Sequence, residues 1–158
     1  MRIVVFSDSH GNYWVLKKIV ERYRSQAAFF IHLGDLERDV ESLRPLCPGV
    51  KILGVPGNCD MFSTSPSYDL VTAEGRQILF THGHRFHVKN GLDSLKSFAR
   101  ANGADVALYG HTHVSHTEYD EGLYLMNPGS VSASRNGRNS FGIVDITPAG
   151  IVTNVVSL

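Results

Sequence analysis

The sequence predicts an α/β protein: a four-layer sandwich of two mixed sheets packed face to face with helices outside, formed by a single domain over residues 1–158. Three observations predict it. Short apolar runs rich in Val, Ile, Leu, Phe and Tyr recur along the whole chain, as strands do. Several are continuous rather than alternating, as expected where helices cover one face of a sheet and a second sheet covers the other. Between them lie stretches whose apolar residues repeat at helical spacing.

In chain order, residues 3–6 open as a strand, and "NYWVLKKIVERYRS" follows as a helix: Val15, Leu16, Ile19, Val20 and Tyr23 fall on one stripe while Lys17, Lys18, Glu21 and Arg22 face out. Residues 29–33 form the second strand, "DLERDVESLRPL" gives a shorter helix before Pro45, and residues 50–55 and 78–80 continue the strands. "NGLDSLKSFARANG" repeats the helical pattern with Leu92, Leu95, Phe98 and Ala99, and Gly103 stops it. Strands over 106–109, 123–126, 141–146 and 151–156 complete the set. The turns "AEGRQ" and "YDEGL" read as hairpins, so the second half is partly antiparallel. Residues 130–139 form the one loose segment.

Composition narrows the function. A chain of 158 residues can bury roughly 70% of its unfolded surface in one core. Lys plus Arg number 15 and Asp plus Glu number 15, so there is no net field to gather nucleic acid or coat an anionic membrane. No apolar run approaches the ~20 residues of a membrane span, and "MRIVVFSDSH" enters a strand directly, without a leader. The expectation is a soluble cytoplasmic protein. Cys47 and Cys59 are too few for a disulfide scaffold and are expected to be free thiols.

Five polar clusters sit at strand ends: "SDSHGN", "LGDLERD", "PGNCD", "THGH" and "GHTH". Residues just beyond the carboxyl ends of neighbouring strands in an open α/β sheet converge on one crevice, so these distant segments can share a site. Asp8 and His10, like His111 and His113, are spaced two apart, which in extended backbone puts both side chains on one face. Collected, Asp8, His10, Asp35, Asn58, His82, His111 and His113 supply imidazole nitrogens and carboxylate or amide oxygens without a thiolate cluster. That mixture suits Mn, Fe, Co, Ni or Zn better than Mg or a structural zinc.

The ordered set D-x-H, G-D, G-N-x-D, H-G-H and G-H-T-H resembles the calcineurin-like metallophosphoesterase superfamily, and with "NPGSVS" at 127–132 the likeness extends nearly to the end of the chain. Small size and the "GNCD" variant are similar to its single-domain phosphodiesterase branch of bacteria and archaea. The resemblance implies two divalent transition-metal ions, Mn2+ favoured with Ni2+, Fe2+, Co2+ or Zn2+ as alternatives. Asp8, His10 and His113 would hold one, Asn58, His82 and His111 the other, and Asp35 would bridge them. It also implies a hydroxide between the ions that attacks a small phosphodiester in line. Two dications less two carboxylates and a hydroxide leave a positive trap for a phosphoester.

Single residues also have plainer roles. Asp8 could cap a helix, and Asp35 and Asn58 could be turn residues. Many relatives place histidine after the asparagine, to protonate the leaving group or bind the phosphate, assisted by a following acid like Asp60; here Cys59 stands there, a weak hydrogen-bonder with a thiol pKa near ~8.5, or simply a small residue packed at a turn. His84 competes with His82 at the same spacing. His32 reads as a satisfied strand histidine, His87 as a loop residue and His116 as a rim residue. Arg135 and Arg138 could reach a phosphate or be solvated, and Asn127-Pro128-Gly129 reads as a turn beside the site. Two rivals stand beside a phosphodiesterase: a phosphomonoesterase or protein phosphatase with the same centre, and a metal-free interaction scaffold like the retromer subunit of this fold. A membrane partner is excluded from the reading, nucleic acid is disfavoured and a homo-oligomer is left open.

Overall fold

The structure, a computed structural model, describes residues 1–158. Its elements run β1 (Arg2–Phe6), α1 (Tyr13–Tyr23), β2 (Phe29–His32), α2 (Glu37–Leu43), β3 (Ile52–Gly54), β4 (Tyr68–Ala73), β5 (Arg76–Thr81), α3 (Asp93–Ala101), β6 (Val106–Leu108), β7 (His116–Asp120), β8 (Leu123–Asn127), β9 (Ser140–Thr147) and β10 (Gly150–Ser157), with short 3-10 turns at Arg44–Leu46 and His84–Phe86. Two five-stranded mixed sheets result, ordered β10-β9-β1-β2-β3 and β4-β5-β6-β8-β7.

Alternation along each strand builds the layers. In β1, Ile3 and Val5 face the second sheet, meeting Ile78, Phe80, Val106, Leu108 and Met126, while Val4 and Phe6 face α1 and α2 through Leu16, Ile19, Val20, Val40 and Leu43. Leu79, Ala107 and Leu125 of the second sheet likewise cover Leu95 and Ala99 of α3. A strand buried on both faces must be apolar at every position, which is why these runs are continuous. Each fully buried aliphatic side chain contributes about 1.5–3 kcal/mol.

Every expected apolar run contains a strand. β4 and β7 were implied only by the hairpin turns, because both are edge strands whose side chains are mostly exposed or half-buried, "YDLVTA" and "HTEYD". Those turns are two-residue loops with both central residues at positive φ, 49° and 73° at Glu74-Gly75 and 43° and 90° at Glu121-Gly122, the geometry whose twist matches the flanking strands. No helix is long and apolar enough to cross a membrane.

β1, β2 and β3 are parallel neighbours in one sheet, and β5 and β6 in the other. Their carboxyl ends therefore lie together, and the loops leaving them carry the polar clusters.

Candidate metal centre

Asp8 and His10 leave β1, Asp35 leaves β2, Asn58 follows β3, His82 leaves β5, and His111 and His113 follow β6. Parallel pairing brings them together across more than a hundred residues of chain. His113 Nε2 lies 3.1 Å from Asp8 Oδ1 and 3.2 Å from His10 Nε2. His82 Nε2 lies 4.0 Å from the same Asp8 oxygen, 3.6 Å from Asp35 Oδ2 and 3.1 Å from Asn58 Oδ1. Asp35 Oδ2 is also 4.0 Å from His10 Nε2, so it stands between the two groups. Asp8, His10 and His113 form one set of potential ligands within 4.8 Å, and Asp8, Asp35 and His82 form another. His111 stands beside them, its ring packed against His82 at 5.0 Å between centroids.

The residues fit a cation. Asp8 Oδ1 is buried and has no hydrogen-bond partner, although an unpartnered buried carboxylate oxygen is costly. His82 Nδ1 lies 2.7 Å from the Leu33 carbonyl and His113 Nδ1 2.8 Å from that of Ala133. A carbonyl only accepts, so each Nδ1 carries the proton and each Nε2 keeps its lone pair for the centre.

The field inside the cluster follows from these contacts. Burial works against the Asp8 charge, but His113, His82 and the Ser7 hydroxyl outweigh it and hold the carboxyl below its usual range. The Asp8 carboxylate 3.1 Å away in turn raises His113. His111 is pushed down to about 4 by burial, with the neighbouring charges of His82 and Lys89 adding to it.

The backbone is unusual where these side chains sit. Asp8, His10, Asp35, His111 and His113 have φ of 56°, 46°, 52°, 68° and 60°, a region costing L-residues about 1–2 kcal/mol each, least for Asp. Such strain persists only where surroundings over-determine it. Here Ser130 and Ser132 donate their hydroxyls to the Asp8 carbonyl at 2.8 and 3.0 Å. Asn127, fully buried, donates to the Gly110 carbonyl at 2.9 Å. The "NPGSVS" segment is thus a brace for the loops that carry Asp8 and His111, more than the turn its sequence suggests. Asp39 Oδ2 accepts from Gly11 N at 2.8 Å and from the Ser9 hydroxyl at 2.7 Å. Ser7, Asp39, Ser130 and Ser132 were missed as site-building residues; their signal was small polar residues flanking apolar strands.

Asp35 Oδ1 accepts from Cys59 N at 2.8 Å, and Oδ2 from the Cys59 thiol at 3.2 Å. Burial, with Asp35 adding to it, pushes that thiol up to about 11. Asp60 does not stand behind Cys59 as expected of an assisting acid. Its oxygens accept the backbone amides of Asp35 (3.2 Å), Gly57 (2.8 Å) and Glu37 (2.8 Å), clamping the loops after β2 and β3. His84 sits one ring outward, 5.3 Å from His82. His87 caps the following turn, exposed; Arg135 and Arg138 are exposed; His116 pairs with the Tyr109 hydroxyl at 2.9 Å; both cysteines are free.

His32 is buried beneath the centre, its Nδ1 accepting from Gly34 N at 3.2 Å and its Nε2 lying 3.0 Å from the Ser9 hydroxyl. Burial pushes its pKa down to about 4. A folded value below the unfolded one, ~6.5, means that stability is complete above pH ~6.5 and is lost as pH falls toward 4, by about 3 kcal/mol. His32→Gln is expected to flatten unfolding free energy against pH across that window; an unchanged slope would contradict the assignment.

Comparison with known proteins gives concordant results. The family model of the calcineurin-like phosphoesterase superfamily domain matches residues 1–148. Probable metallophosphoesterase YsnB of Bacillus subtilis (strain 168) is 36% identical over 135 residues, covering 85% of this chain and 78% of YsnB. Phosphodiesterase YfcE of Escherichia coli (strain K12) is 29% identical over 170 aligned residues, covering 92% and 88%. The crystal structure of a predicted phosphoesterase from Streptococcus pneumoniae TIGR4 superposes with a TM-score of 0.84 at 28% identity, covering 99% of this chain and 88% of that one.

Proposed function

The chain belongs to the calcineurin-like phosphoesterase superfamily, and from that premise we propose that it hydrolyses small phosphodiesters with two divalent transition-metal ions, Mn2+ first among them. One observation carries the reading: carboxylates and imidazoles from both sheets converge around Asp8 and Asp35, with Asp8 Oδ1 left without a partner. Asp8, His10 and His113 would hold one ion, Asn58, His82 and His111 the other, with Asp35 between. Bound ions of this kind supply a nucleophilic water at neutral pH and a Lewis acid for phosphoryl oxygens. The protein's part is to turn Nε2 of His82 and His113 toward the centre by tying each Nδ1 to a carbonyl, and to hold the strained loops rigid. Diesters come before monoesters on the resemblance to a relative named as a phosphodiesterase.

The test is metal analysis of protein purified without chelator, together with rates on matched mono- and diesters in Mn2+, Ni2+, Fe2+, Co2+ and Zn2+. Stoichiometric metal and faster diester turnover are expected. Faster monoester turnover would favour a phosphomonoesterase, and absence of both metal and turnover would favour an interaction scaffold.

Cys59 stands where many relatives carry an imidazole, its thiol kept protonated by burial and by its hydrogen bond to Asp35. Turnover is therefore expected to favour good leaving groups. Cys59→His should raise kcat by about tenfold or more on an alkyl ester, within the range of general acid catalysis, and far less on an aryl ester. An equal response of both esters would sink this role.

A further inference from the structure

A groove of about 470 Å3 opens beside the metal centre, within the size range of small-ligand sites. Val88, Leu92, Tyr109 and Val114 line it, with the polar side chains of Lys89, His116 and Arg135 also in its wall. It is continuous with the ligand loops. Thr112, between His111 and His113, forms part of its wall. Val88 packs so tightly beneath Gly83, between His82 and His84, that a Cβ there would meet Val88 Cγ2 at 2.9 Å. Arg135 N donates to the His113 carbonyl at 3.0 Å, tying the cationic margin to a ligand residue. Thr112 Oγ1 is held at 3.0 Å by Asn127 Nδ2 on this side. On the Asn58 and His84 side lies a smaller cleft of about 250 Å3 lined mostly by polar residues, including Ser63, Ser65 and Arg85.

We propose that the apolar groove binds a ring-bearing ester arm of the substrate, so that the preferred phosphodiester carries a flat ring system, phenyl or nucleoside, on one oxygen. This rests on the phosphodiesterase reading and deepens it. An apolar floor of buried Val88 and Tyr109 and half-buried Leu92, with Val114 exposed at its edge, rewards desolvating a ring. Lys89 and Arg135 at the margin match the single negative charge of a diester passing toward the centre. The neighbouring polar cleft suits a smaller or hydrophilic second arm. Lys89, Leu92 and Val114 are accordingly specificity-determining rather than catalytic.

The test holds the leaving group constant. Methyl, phenyl and thymidine 5′ diesters of p-nitrophenyl phosphate share one departing phenolate, so differences in kcat/KM report recognition of the other arm. Wild type is expected to prefer the phenyl or thymidine ester over the methyl ester by tenfold or more. Leu92→Asp and Val114→Asp should reduce that ratio to below threefold, whereas Val152→Asp, on the exposed edge strand β10 of the other sheet, should leave it unchanged. A wild-type ratio near one, or an unaltered ratio in both groove variants, overturns the proposal; which ring ester wins distinguishes aryl from nucleoside. Calorimetry with phenylphosphonate and methylphosphonate reads the groove without turnover. Tenfold tighter phenylphosphonate binding, lost in Leu92→Asp, supports the groove even if no ester is hydrolysed, an outcome that removes the phosphodiesterase reading alone. Equal binding of the two phosphonates refutes the groove even in an active enzyme.

Discussion

Asp35→Asn is expected to lower kcat on phosphodiesters by roughly a thousandfold, about 4 kcal/mol of transition-state stabilisation, while leaving the metal-free protein at least as stable as wild type. The two halves of this result have separate causes. Asp35 Oδ2 is the one carboxylate oxygen within 4.0 Å of both His10 and His82, so an amide there removes a charge that two ions would share. Without ions, Asp8 and Asp35 bring carboxylate oxygens within 4.8 Å of each other, and like charges that close repel. Neutralising one relieves the repulsion, so the melting temperature should hold or rise. The gain in melting temperature on adding Mn2+ should shrink, because a ligand stabilises only in proportion to its affinity for the folded state. Full hydrolysis by the variant, or an undiminished Mn2+ shift, would refute a shared role for Asp35.

Gly57→Ala is expected to cost at least a hundredfold in kcat/KM. Gly57 has an ordinary φ, so the argument is one of space alone. A Cβ there would collide with Asp35 Oδ1 and lie 2.7 Å from both the Asp35 backbone nitrogen and its carboxyl carbon. The backbone of the β2 exit cannot retreat, because Asp60 ties Asp35 N, Glu37 N and Gly57 N together. Displacing a reacting group by even 1 Å can cost about 10²-fold, and overpacking adds about 1–3 kcal/mol of destabilisation. Thermal melts and kinetics on one preparation check both. Wild-type activity would mean that the loop carries Asp35 with it and that the fit is looser than the structure shows.

The alternation of apolar runs with amphipathic stretches was legible because both periodicities are local, and it led to the sheets and helices found here. β4 and β7 were harder to see, since an edge strand with water on one side need not be apolar. Ligand-type residues at strand ends were legible for a similar reason: parallel strands deliver their carboxyl ends to one place whatever the loops do. Asp60 shows the limit of such reasoning. Its place after Cys59 suggested a partner for the thiol, but an acid's partner depends on which amides its loop folds against, and these belong to Asp35, Glu37 and Gly57.

By itself, then, the order of residues determined the layered α/β architecture and a donor set of imidazoles and carboxylates, because hydrophobic period and side-chain chemistry are properties of the chain alone. Tertiary structure decided the rest: which potential donor atoms meet, that Asp8 Oδ1 stays unpartnered, that Asn127, Ser130 and Ser132 hold strained loops, and that a groove with an apolar floor adjoins them. Those are facts about distances between groups as much as 124 residues apart. Only the packing of two sheets, which closes those separations to hydrogen-bond length, can set them.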